Sequence, residues 1–147
     1  MPVPERTRRL VCEWVMKAEE DFHSAVGLLK QGDVMTMNSI CFHAQQCVEK
    51  YLKARLVLAG IDFPRTHNIG TIVALLPPHA RPPITENDQN FLTVYAVQTR
   101  YPGGYDSSGL VEARVAVRIA RRVRVFLRKS LPRDCIPRKT RTNVRKR

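Results

Sequence analysis

Between Asn38 and Leu56 the chain reads NSICFHAQQCVEKYLKARL, with neither glycine nor proline. Met37, Ile40, Cys41, Ala44, Val48, Tyr51 and Leu52 recur at steps of three and four, so on a helix they make one apolar stripe. His43, Gln46, Lys50 and Lys53 fall on nearly the opposite side, with Gln45 and Glu49 at the borders. Two readings of that polar face stay open. It is either solvated surface, or a surface that meets a second helix or an anionic ligand.

The same periodicity organises the rest of the chain. A first helix is expected over Glu5 to Gln31, with Trp14, Ala18, Phe22, Ala25, Leu28 and Leu29 as its apolar side and Glu19, Glu20 and Asp21 as a polar shoulder. Gly32 is placed to end it, and Asp33 to cap a second helix running from about Val34 to Ala59. Gly60 and Pro64 interrupt the pattern. Thr66 is a plausible cap for a short helix from His67 to Leu76, and the prolines at 77, 78, 82 and 83 stiffen the following loop. Thr85 caps a fourth helix that ends near Thr99, with Glu86 and Asp88 in its first turn. A loop over 100–109, RYPGGYDSSG, leads to a last helix from Leu110 to about Ser130. Its core face is expected at Val115, Ile119, Val123, Phe126 and Leu127. No stretch alternates as a strand would. The pattern predicts an all-α fold: an antiparallel up-and-down four-helix bundle with an additional short helix in the middle connection.

Composition adds location to charge. Residues 1–109 carry 11 basic and 11 acidic side chains, whereas 110–130 carry seven basic and one acidic, as do 131–147. The excess of +12 therefore lies in the last helix and the chain beyond it, which points to a polyanion or an acidic partner. Residues 1–131 are expected to form the bundle and 132–147 a basic tail without fixed structure. No apolar run reaches the length of a membrane span, and MPVPERTRRL is not followed by an apolar signal core, so a cytoplasmic location with no membrane partner is expected. Cys12, Cys41, Cys47 and Cys135 include no CxxC pair, which argues against a zinc site or a disulfide framework; Cys12 and Cys41 read as small buried residues.

Three groups could carry chemistry. Lys50 and Lys53, one turn apart beside His43, suit a phosphate, with the imidazole able to move a proton. Arg100 with Tyr101 and Tyr105 suits a base or phosphate, the guanidinium meeting the charge and a ring stacking on the base. Arg114, Arg118, Arg121 and Arg122 make a basic face that could follow a nucleic-acid backbone, and Arg128 and Lys129 continue it. Each has a plainer alternative: a solvated or helix-pairing face for the first, a loop packed on the bundle for the second, ordinary surface for the third. No cofactor or metal motif is present.

Taken in succession, several pieces resemble one family. They are Trp14 with Ala18, Asp21 and Ala25; Cys41-Phe42-His43-Ala44-Gln45-Gln46, Glu49-Lys50 and Leu52-Lys53-Ala54; Thr66-His67; Arg100-Tyr101-Pro102; and a last helix of Ala and Val repeats. This run is similar to the HEPN domain (higher eukaryotes and prokaryotes nucleotide-binding), over roughly residues 10 to 130. The resemblance implies a helical bundle, often homodimeric, that binds a nucleotide or RNA and acts with a minimal nucleotidyltransferase partner, sometimes as toxin and antitoxin. Many members are also metal-independent ribonucleases through an Arg followed four to six residues later by His. Arg100 matches the Arg, but Tyr105, Asp106 and Ser107 occupy the His positions, and no His follows His79. A tyrosine is a poor proton donor or acceptor near neutral pH. The leading expectation is a non-catalytic nucleotide- or RNA-binding protein with Arg100, Tyr101, Tyr105, Lys50, Lys53 and His43 at its site. The alternatives are a ribonuclease using Arg100 with an unconventional partner residue, and a scaffold subunit without ligand.

Overall fold

A computed structural model describes residues 2–97 and 109–138. In it five α-helices follow in order: α1 (Glu5–Gln31), α2 (Met37–Ala59), α3 (Ile69–Leu75), α4 (Glu86–Val97) and α5 (Leu110–Arg128). No strand occurs among the described residues. Helix ends follow from local chemistry. Gly32 and Gly60 close α1 and α2 in the left-handed conformation, each at φ 69°. At the second, Ile61 N donates to Leu56 O and Gly60 N to Val57 O, the crossed pair that terminates a helix when glycine follows its last turn. Thr85 and Asp88 cap α4 reciprocally, Asp88 N donating to Thr85 Oγ1 and Thr85 N to the Asp88 carboxylate. The short α3 is capped by Asn68, whose side chain accepts from Thr71 N, so it starts two residues later than a Thr66 cap would place it.

The short turn at 32–36 folds α2 back along α1, and α2 then touches each of the other four helices. Pairs such as Glu19–Arg124 and Cys12–Cys135 show α5 running antiparallel to α1. Arg122–Asp88 shows α4 antiparallel to α5. The bundle is therefore up-and-down through α1, α2, α4 and α5, with α3 in the middle connection. Ile40, Ala44, Val48, Leu52 and Leu56 of α2 are fully buried against Val11, Val15, Ala18 and Ala25 of α1 and residues of α4 and α5.

Three expectations need correction. The buried side of α5 is centred on Ala113, Ala116, Val117, Ile119, Ala120, Val123 and Leu127, while Val115 and Phe126 are only half-buried. Alanine registers weakly in a hydrophobic pattern, yet three of them here lie where helices pack against each other. Cys12 is half-buried rather than enclosed, and it forms a disulfide with Cys135 across 123 residues. Such a separation leaves no spacing signal; the two meet only because a 3-10 turn over Arg133–Cys135 packs on α1. Ordered packing accordingly runs past Pro132: Leu131 and Cys135 are buried, and Ile136 lies against the core.

Candidate functional site

Three buried carboxylates tie the helices together, two of them, Asp21 and Glu49, through the polar side chains of α2. Asp21, from the supposed polar shoulder of α1, is buried and accepts from both His43 Nδ1 (2.8 Å) and Lys50 Nζ. Burial pushes the Asp21 carboxyl up, but the bonds from His43 and Lys50 outweigh it and hold it below its ordinary value. Glu49 is buried and accepts from Lys53 Nζ at 2.7 Å, Gln45 Nε2 at 2.9 Å and His67 Nδ1 at 3.0 Å. Gln46 Nε2 donates to Gln45 Oε1 at 2.7 Å, which closes this network. The Lys53 ammonium also lies over the rings of Trp14 and Phe63, at 5.6 and 5.7 Å.

The third carboxylate is Glu19. It accepts from the Tyr51 hydroxyl and from Arg124 Nε and Nη2 at 2.7 and 3.1 Å, and Arg128 Nη1 stands 3.7 Å away. Burial raises the Glu19 carboxyl, yet Arg124 and Tyr51 together keep it below its usual value. Burial and then the bond to Glu19 push the Tyr51 phenol far up, so it stays protonated and donates. The ring of Phe22 carries Arg124 at 4.5 Å and Arg121 at 5.2 Å.

On the outer side of α5, Arg114, Arg118, Arg121, Arg122 and Lys129 are exposed. Arg122 Nη1 reaches Asp88 Oδ2 and Pro83 O, both at 3.3 Å. Among the described residues, Arg114 and Arg118 have no acidic partner. Pro83, Arg118, Arg121, Arg122, Val125, Phe126 and Lys129 line a groove of ≈ 480 Å³. Four cations around apolar floor residues suit an anion joined to a flat or apolar group.

These positions divide the residues named from sequence. His43 and Lys50 converge on Asp21 and stay partly exposed; Lys53 is turned inward onto Glu49. Arg114, Arg118, Arg121 and Arg122 do form one exposed face, whereas Arg128 turns toward Glu19. Arg100, Tyr101 and Tyr105 lie outside the described residues. The sequence pattern sets Glu19 and Asp21 on a polar shoulder, and the family resemblance includes Asp21, but neither gives these acids or Arg124 a place at a site. A signal was present: Glu19 lies three before Phe22 and Asp21 four before Ala25, so both acids share the spacing of the apolar side of α1.

The model of the HEPN domain matches residues 11–130. The chain belongs to the HEPN family. Two crystal structures share its fold. TT1696 from Thermus thermophilus superposes with a TM-score of 0.67 at 25% identity, covering 82% of this chain and 98% of its own. ST0689, described as an archaeal HEPN homologue, gives a TM-score of 0.61 at 26% identity, covering 83% and 98%. No protein of curated function matches the chain. HEPN membership supports a nucleotide- or RNA-related role, and no described helix is long and apolar enough to cross a membrane. In this HEPN domain the FHAQQCVEK run belongs to the buried polar networks: Gln45 and Glu49 are inside, and His43 clasps α1.

Proposed function

We propose that this HEPN protein binds single-stranded RNA or a nucleotide without cleaving it. It would do so as a homodimer, beside a minimal nucleotidyltransferase partner in a toxin–antitoxin-like pair. The observation that carries the binding reading is the α5 groove, where Arg118, Arg121, Arg122 and Lys129 surround Val125 and Phe126 with Asp88 as the near acid. Arg100, Tyr101 and Tyr105, with Lys50 and His43, remain the candidates for a second contact region. The pairing with a nucleotidyltransferase rests on the family resemblance. The homodimer has added support from exposed apolar residues on α4 and the start of α5, namely Val94, Leu110 and Val111.

Titrating a short labelled RNA at several salt concentrations tests the reading. Single-strand binding through three to four phosphate contacts gives a log–log salt slope of about −2 to −3, and Arg118→Ala reduces its size by about 0.7. Absence of saturable, salt-dependent binding refutes it. Light scattering of the pure protein tests the dimer, and co-purification with an adjacently encoded nucleotidyltransferase tests the partner.

One observation favours the ribonuclease alternative. Asp21 engages His43 through Nδ1, the arrangement that orients an imidazole for proton transfer at its other nitrogen. RNA cleavage under chelation that disappears in both Arg100→Ala and His43→Gln would establish it; intact RNA would exclude it.

A further inference from the structure

Beyond the α5 groove lies a second recess of ≈ 230 Å³, lined by Arg55, His79, Ala80, Phe126, Lys129 and Ser130. It is formed where the end of α2, the 3-10 turn over Pro78–Ala80 and the end of α5 come together. Phe126 and Lys129 line both spaces, so groove and recess adjoin. Arg55 shares the spacing of the apolar stripe of α2, one residue before the fully buried Leu56 and four after the fully buried Tyr51, and is itself half-buried. Its Nε is enclosed and meets no hydrogen-bond partner among the described residues. No carboxylate is among the lining residues, and the Ser130 hydroxyl proton is already given to Leu127 O.

A half-buried guanidinium without a carboxylate is unusual. Partial burial weakens its hydration, and such charges are normally paired. The other buried or half-buried cations of this bundle obey that rule, since Lys53, Lys50 and Arg124 each have a carboxylate. Among the described residues no carboxylate compensates Arg55, so the recess is open to an anion from a bound ligand. Arg55 and Lys129 supply two positive charges and His79 a third when protonated, which suits a doubly charged phosphoryl group better than the singly charged diester of a continuing strand.

We propose that the Arg55 recess binds a terminal phosphate, that of an RNA end or of a free nucleotide, and so sets where the ligand stops along the α5 groove. The identity of the ligand rests on the RNA- and nucleotide-binding reading above; the preference for a phosphate monoester rests on the recess alone. The site lies at the C-terminal end of α5.

The test uses the full chain and matched probes: short labelled RNAs ending in 5′-phosphate, 3′-phosphate or hydroxyl only, and ADP against adenosine. The expected result is about a tenfold tighter binding of the phosphorylated member of at least one pair, as one charge-assisted contact gives. Preference in the RNA arm identifies a strand end, and preference only in the nucleotide arm a free nucleotide. Arg55→Met, with its fold checked by circular dichroism, removes the preference and leaves hydroxyl-ended RNA bound as before; Arg55→Gln, which keeps a polar head, does the same if Arg55→Met fails to fold. Equal binding within every pair, or a preference that survives both variants, overturns the proposal. Hydroxyl-ended RNA that still binds through Arg118 leaves the RNA reading standing in that case. If no RNA binds but inorganic phosphate raises the melting temperature of wild type and not of Arg55→Met, the recess stands and the RNA reading falls.

Discussion

Cutting the Cys12–Cys135 bond should release the two ends of the bundle from each other. The link spans 123 residues of a chain of 147. A cross-link stabilises chiefly by restricting the unfolded chain, and for a loop of this length the chain-entropy relation gives about 5 kcal/mol at room temperature. The local interactions that depend on it are small by comparison. The Arg8–Asp134 ion pair is largely exposed and is worth at most about 1 kcal/mol. In a domain of this size a loss of about 5 kcal/mol lowers the melting temperature by about 10–20 °C. The assay is denaturant and calorimetric unfolding of the oxidised protein against the reduced protein and Cys135→Ser. Thiol titration in denaturant checks the starting state: four cysteines with one bond leave two reactive thiols, Cys41 and Cys47, rising to four on reduction. An entropic origin requires that the two forms differ mainly in unfolding entropy and little in enthalpy. A stability difference under about 1 kcal/mol, with two thiols confirmed, would refute the reasoning, because it would place the chain ends together in the unfolded state as well.

Asp21→Asn should cost about 2 kcal/mol, less than a fully buried pair because His43 and Lys50 keep some exposure, and chemical denaturation measures it. The folded Asp21 carboxyl lies below its ordinary value of 3.8, so its contribution is complete above that value and disappears as pH falls through the lower folded one; the acid limb of the stability profile should flatten in Asp21→Asn. Gly60→Ala, at φ 69° with open space around it, should lose about 1–2 kcal/mol from backbone strain alone, visible as a lower denaturation midpoint at unchanged slope. Ala116→Leu should destabilise by about 1–3 kcal/mol, since the fully buried Ala116 leaves no room for a larger side chain on the buried side of α5; thermal unfolding reports it.

Much of the architecture was legible in the residues. Steps of three and four along α1, α2 and α5, glycines at 32 and 60, and the Thr85–Asp88 spacing are local rules, and a local rule needs no knowledge of the neighbours. The HEPN resemblance and the placing of the charge excess on the last helix were equally readable, and the exposed Arg114, Arg118, Arg121 and Arg122 follow from them. Tertiary structure alone decided which polar residues face inward. Glu19, Asp21 and Glu49 are buried because cations from another helix, or from the next turn, reach them, and no pattern within one helix states what stands opposite it. The same holds for the Cys12–Cys135 bond and for the recess at Arg55. Each is made by residues far apart in the chain, and only the packing angle of the helices brings them within bonding distance.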